Sequence, residues 1–165
     1  MENKERVIKM QVQTETETKT KQETEPRSTR RFYFDTSIWL DLFEDRDEPN
    51  FPKSQWAKAL VNKIIRNNDK IIYSNANLRE LIDANYSFYE IRLLFEPLSA
   101  VLIFIRANKY QLGKSKDLSH KRKIPWLDAL HAILARDTNA ILVTFDHHFN
   151  NIKDIAKPYR TDLLI

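Results

Sequence analysis

The sequence predicts an α/β protein, a three-layer α/β/α sandwich built on a mostly parallel central sheet. Three observations carry that reading. Short apolar runs of strand character alternate with stretches whose apolar residues recur at helical spacing, the pattern of parallel strands joined by helical crossovers. Ala140-Ile-Leu-Val-Thr-Phe145 is almost continuously apolar, as a strand covered on both faces must be. Phe32-Tyr33-Phe34 stops at Asp35-Thr36-Ser37, and residues of that type both end a strand and cap the helix that follows.

The elements follow in order. Residues 1–30 are poor in apolar side chains, and Gln13 to Glu25 is almost wholly Thr, Glu, Lys and Gln, which leaves too little surface to bury against the entropy of ordering. A flexible polar tail is expected there, with the folded domain over 31–165. Phe32 to Phe34 forms the first strand, and Asp35 or Thr36 opens a helix carrying Ile38, Trp39, Leu42 and Phe43. Glu44 to Pro52, charged and holding two prolines, is a loop, and Trp56, Leu60, Ile64 and Ile65 then mark a second helix. Ile71-Ile72-Tyr73 is the next strand, followed by a helix capped by Asn75 or Asn77 and running to about Leu93.

Phe95 to Ile105 reads two ways. Ala100 to Ile105 has strand propensity, whereas Ser99 is placed to cap a long helix reaching Gly113. Lys109 to Lys123 is a basic segment, with Asp117 its one acid. Pro125 starts a helix from Trp126 to about Asp137, apolar on most faces and therefore central, and the Ala140 strand follows.

Composition narrows the chemistry. With 165 residues the chain holds one domain and a tail, and a domain of roughly 130 residues buries about two thirds of its unfolded surface. Lys and Arg number 27 against 23 for Asp and Glu, a mild excess that permits a nucleic-acid partner without demanding one. The absence of Cys excludes disulfides, zinc ribbons and thiol catalysis, so a metal would need oxygen or imidazole ligands. No apolar run has the length of a membrane span or the form of a secretory leader, which makes the cytoplasm the expected location and a membrane no partner.

Four carboxylates stand at strand ends or helix starts: Asp35, Glu80, Asp128 and Asp146. In a parallel α/β sheet those places share one rim, the crevice beyond the carboxyl ends of the strands where ligands bind. Crowded there, the acids would repel one another unless cations neutralised them, and hard oxygen donors select Mg²⁺ or Mn²⁺. Each acid alone has a plainer explanation. Asp35 and Asp146 suit turns or N-caps, Asn77 with Glu80 resembles a capping box, and Asp128 complements a helix dipole. Capping leaves their apolar settings and the neighbouring hydroxyls of Thr36, Ser37 and Thr144 unexplained.

Phe34-Asp35-Thr36-Ser37, Leu78-Arg-Glu80-Leu-Ile, Leu127-Asp128-Ala-Leu-His131-Ala and Leu142-Val-Thr144-Phe-Asp146 with Phe149 together resemble the PIN domain family, metal-dependent ribonucleases that include the toxins of VapBC toxin–antitoxin pairs. The resemblance spans about Arg31 to Ile165. It implies a PIN-like fold and carries over Asp35, Glu80, Asp128 and Asp146 as an acidic quartet binding Mg²⁺ or Mn²⁺, with Thr36 and Thr144 as supporting hydroxyls. It also implies a third strand at Phe95 to Leu98 and a helix from Ser99 onward. The long polar tail and the basic segment before Pro125 depart from the family pattern.

The activity implied is hydrolysis of RNA phosphodiesters by the toxin of such a pair, with a small antitoxin protein as partner and a homodimer as the expected assembly. Lys121, Arg122 and Lys123 are candidates for phosphate contact. His131, one turn beyond Asp128, is a candidate for substrate contact, against the alternative of a satisfied, partly buried histidine. His147 and His148 adjoin Asp146, but adjacent residues diverge in direction, and both are expected at surface turn positions outside the site, as are Asp41, Asp45 and Asp83. The competing readings are an RNA-processing nuclease without an antitoxin, a structure-specific DNA nuclease, and a non-catalytic binding module whose mark would be a broken quartet. Here the quartet is whole.

Overall fold

The computed structural model describes residues 28–165. The tail expected over residues 1–30 therefore lies outside the described residues except for its last three. Of these, Arg30 is tied to the domain: its guanidinium and its backbone N–H both bond the Asp69 carboxylate at 2.9 to 3.1 Å.

Among the described residues, β1 (Arg31–Phe34), β2 (Lys70–Ser74), β3 (Leu102–Ile105), β4 (Ile141–Val143) and β5 (Pro158–Tyr159) form one sheet in the order β3-β2-β1-β4-β5. Every pairing is parallel, with Tyr33 beside Ile72 on one side and Leu142 on the other. Helices α1 (Thr36–Glu44), α2 (Lys53–Arg66), α3 (Asn75–Asp83), α4 (Phe88–Phe95), α5 (Lys109–Arg122) and α6 (Trp126–Asp137) cover it.

The strand alternation creates the three layers. Phe32, Phe34, Ile71 and Val143 enter one buried cluster with Trp39 and Leu60, whereas Tyr33, Ile72 and Leu142 enter another with Leu130 and Phe149. Trp39 anchors the first cluster, its ring 4.7 Å from Phe95 and 5.2 Å from Phe34. The second rests on α6, whose run from Asp128 to Ala135 is buried.

The order of strands fixes where a ligand can sit. From β1 the chain crosses to β2 and β3 on one side, then returns to place β4 and β5 on the other. The point where the order reverses lies between β1 and β4, and a crevice opens there beyond the strand ends.

Two expectations need correction. One helix from Asn75 to Leu93 is in fact two: Asn85 adopts a left-handed φ of 72°, which breaks the helix, and Ser87 caps α4 through a capping box with Glu90. Ser74 caps α3, with Asn77 as its reciprocal partner. The strand implied at Phe95 to Leu98 is the end of α4 followed by a 3₁₀ turn containing Pro97, and the third strand lies at Leu102–Ile105. Strand propensity was the correct local signal, and no helix starts at Ser99; α5 starts after Asn108, which caps it.

The chain has one glycine, yet its turns still need left-handed residues. Among the described residues Asp45, Asn50, Asn68, Asn85 and Asn139 supply them, with Lys123 the exception. Asn and Asp tolerate that conformation because their short polar side chains bond locally to the backbone.

Candidate metal centre

Asp35 follows the last residue of β1, and its backbone N–H bonds Val143 O of β4 at 3.0 Å, closing the two strands at the reversal point. Its carboxylate caps α1 by accepting the Thr36 N–H at 2.8 Å, so the capping role foreseen for it is real. The other oxygen, Oδ2, accepts the hydroxyls of Ser37 at 2.7 Å and Thr144 at 3.0 Å. Thr144 Oγ1 in turn accepts the Asp146 N–H at 2.9 Å, so one hydroxyl ties together the acids that end β1 and β4.

Glu80 is the sixth residue of α3, one turn further along than the first turn expected of it. Its Oε2 accepts the Thr36 hydroxyl and lies 2.7 Å from His131 Nε2. Thr36 Oγ1 also accepts the Asn77 amide at 3.0 Å, and that amide bonds Phe34 O.

His131 is fully buried, so it stands behind the acids and not on a surface that substrate could touch. Its Nδ1 is 2.8 Å from the Tyr33 hydroxyl, which is 2.7 Å from Ser74 Oγ. Burial pushes its pKa down, but bonding to Glu80 and the charges of Glu80, Asp35 and Asp128 outweigh burial and leave it raised. In its charged form the imidazole would donate from both nitrogens, to Glu80 and to Tyr33. Burial raises the Glu80 pKa, yet the His131 contact prevails and holds it below the ordinary value.

Asp128 enters from the first turn of α6 and is buried. Burial first, then the charges of Asp35 and Asp146, push its pKa up to about 7, with His131 opposing and Glu80 adding to the rise. Burial likewise raises Asp35, against the effect of His131. Asp128 thus feels the charge of the other three acids, and Asp35 feels that of Glu80. Asp128 Oδ2 is buried and accepts no hydrogen bond among the described residues. A desolvated carboxylate oxygen without a donor, in a group of acids that repel one another, suits a divalent cation: an ion would satisfy the oxygen and cancel the repulsion. On that test the donor set fits a hard divalent ion.

The basic candidates lie at the junction between α5 and α6. Lys121, Arg122 and Lys123 are exposed, but the Arg122 guanidinium is held by Asn151 O at 3.0 Å and by Asp154 at 2.8 Å. Lys123 is the left-handed residue that ends α5, at φ 54°.

Two residues left outside the site adjoin it. Asp41 on α1 is buried, and burial pushes its pKa up to about 6 against the opposing charges of Lys53 and Arg46. It lines a cavity of about 470 Å³ with Ser37, Lys53, Asp146 and His148. Spacing gave no sign of Asp41, because it sits six residues past Asp35 and not on the same turn. His148 faces the acids: its Nδ1 is 3.1 Å from Asp146 Oδ1 and 3.7 Å from Asp128 Oδ2. The tandem imidazoles do not diverge, since their centroids are 4.4 Å apart. Asp146 accepts the His148 N–H at 2.8 Å as the cap of a 3₁₀ turn, which folds that turn back over its own carboxylate.

The profile of the PIN domain family matches residues 32–155. A search of curated proteins by sequence gives no match. Among solved structures, a toxin–antitoxin complex from Klebsiella pneumoniae is similar at a TM-score of 0.55 and 19% identity, covering 79% of this chain and 97% of that one. VapBC2 of Rickettsia felis, bound to a DNA fragment from its promoter, gives 0.54 and 19%, with 79% and 98% covered. VapBC-1 from nontypeable Haemophilus influenzae gives 0.56 and 22%, with 80% and 98% covered. At these identities the likeness is one of fold.

Proposed function

This chain belongs to the PIN domain family, and on that premise we propose that it is a divalent-metal-dependent ribonuclease, the toxin of a VapBC-type pair. The observation that carries the reading is Asp128: a buried carboxylate, lifted to about 7 by burial and three neighbouring acids, with one oxygen that accepts no hydrogen bond among the described residues. The similarity in fold to toxins in complex with antitoxins supports the physiological half of the proposal.

Asp35 and Asp146, at the ends of adjacent strands, are the proposed direct ligands, and Glu80 and Asp128 complete the set. Mg²⁺ or Mn²⁺ held there would supply Lewis acidity, polarising a phosphoryl oxygen and making water acidic enough to attack at neutral pH. The protein's own part is positional. Thr144 fixes the spacing of Asp35 and Asp146 through bonds of 3.0 and 2.9 Å. His131 and Thr36 hold Glu80 ionised and immobile, which keeps negative charge on the site when Asp128 is protonated. No side chain among these acts as nucleophile.

The reading predicts cleavage of single-stranded RNA with Mg²⁺ or Mn²⁺, stopped by EDTA and by Asp35→Asn, with matched DNA strands separating ribonuclease from deoxyribonuclease. Cleavage that survives Asp35→Asn would sink the mechanism. For the toxin role, expression should arrest growth and a small partner protein should relieve the arrest; unimpeded growth with active enzyme favours RNA processing. The homodimer is checked by sedimentation velocity, and a monomer at micromolar concentration contradicts it.

A further inference from the structure

We infer that His148 is a nitrogen ligand at the Asp128–Asp146 end of the acid cluster, making that position a mixed nitrogen and oxygen site that prefers a first-row transition ion to Mg²⁺. The inference rests on the metal-centre reading above and adds a residue and a selectivity to it.

Its first support is distance. Around an octahedral ion with bonds of about 2.1 Å, neighbouring donors stand about 3.0 Å apart and opposite donors about 4.2 Å. His148 Nδ1 is 3.1 Å from Asp146 Oδ1 and 3.7 Å from Asp128 Oδ2, so the ring nitrogen is within reach of an ion held by either carboxylate. The second support is independent: Asp128 Oδ2 is buried and accepts no hydrogen bond among the described residues.

The placement of His148 is also built into the chain. Its N–H caps onto Asp146 Oδ1 at 2.8 Å, and the turn it lies in is anchored by Phe149 and Ile152, both fully buried. The imidazole is thereby folded over the carboxylate it would share an ion with. His147 differs. Its side chain is 83% exposed against 43% for His148, and its Nδ1 lies 3.7 Å from Asp146 with no approach to Asp128.

The chemistry follows from the donor. Carboxylates suit Mg²⁺ and Mn²⁺ alike, but imidazole adds affinity for transition ions in the order Mn²⁺, Co²⁺, Ni²⁺ and little for Mg²⁺. Removing His148 should therefore flatten the series and leave Mg²⁺ binding nearly as it was.

The test is calorimetric titration of the metal-free full chain with Mg²⁺, Mn²⁺, Co²⁺ and Ni²⁺, comparing the native protein with His148→Ala and His147→Ala. The native chain and His147→Ala should bind the transition ions in rising order. In His148→Ala the Mn²⁺ to Mg²⁺ affinity ratio should fall about tenfold or more, the size of effect that ligand-orienting groups already show. Nitrogen hyperfine coupling on bound Mn²⁺ should vanish in the same variant. An unchanged ratio and coupling in His148→Ala overturns the inference, as does their loss in His147→Ala alone. A native chain that binds none of the four ions overturns the metal-centre reading itself.

Discussion

His131 is a buried imidazole whose two nitrogens are both engaged, between the Tyr33 hydroxyl and the Glu80 carboxylate. Removing it would leave the Tyr33 hydroxyl with Ser74 alone and the Glu80 carboxylate with Thr36 alone. His131→Ala should cost about 2–4 kcal/mol in urea denaturation, because two lost buried hydrogen bonds add to the cavity. A cost within error of zero would show that the network carries no load. Asp128 makes a prediction of opposite sign. Its native pKa lies above the unfolded value of about 3.9, so the stability that protonation contributes is present at pH 4 and is lost as pH rises through about 7. Asp128→Asn, neutral at every pH, should match the metal-free native chain at pH 4 and exceed it above pH 7 by on the order of 3 kcal/mol. Thermal melts in EDTA across that range check it, and a variant no more stable at pH 8 would contradict the crowding of charge described for the site.

At the scale of elements, capping residues organise the site and the fold alike. Asp35 caps α1, Asp146 caps a 3₁₀ turn, and both belong to the acid cluster, so capping and metal binding are not competing explanations for them. Ser87 is a cap whose role is structural alone. Ser87→Ala removes a reciprocal capping box and should lower stability by about 1 kcal/mol without altering metal binding. A change in ion affinity in that variant would mean that α4 reports to the site. The strands β1, β2 and β4 were legible because each is a short apolar run closed by a polar residue. The division between α3 and α4 was not, since Asn85 and Ser87 signal a break only when weighed against an otherwise helical apolar period. Leu102–Ile105 follows its β propensity and not the family resemblance, pairing with β2 from Ile71 to Ser74. For the proposed site, topology puts the four acids at one rim and the family resemblance proposes them as ligands, but contacts through folded turns were not legible. His148 reaches Asp128 only because the Asp146 cap bends the chain, and His131 disappears into the core because α6 turns that face inward.

For the whole molecule, the reversal of strand order between β1 and β4 is what brings residues spread over more than a hundred positions to the proposed site. The sheet holds Asp35 and Asp146 on neighbouring strand ends, while α3 and α6 bring Glu80 and Asp128 from the helical layers. Crowded carboxylates of this kind destabilise the fold that carries them, and an ion that binds only the folded state returns that stability by about 2.7 kcal/mol at a hundred times its dissociation constant. The most direct measurement of the central claim is calorimetric titration of the metal-free chain with Mn²⁺ near pH 6, in buffers of differing ionisation enthalpy. Asp128 is largely protonated there, so binding should release a proton. The account predicts that release for the native chain, its loss in Asp128→Asn, and severely weakened binding in Asp35→Asn with both variants folded. Mn²⁺ binding with unchanged affinity and proton release in those two variants would contradict the assignment of the four acids as one metal centre.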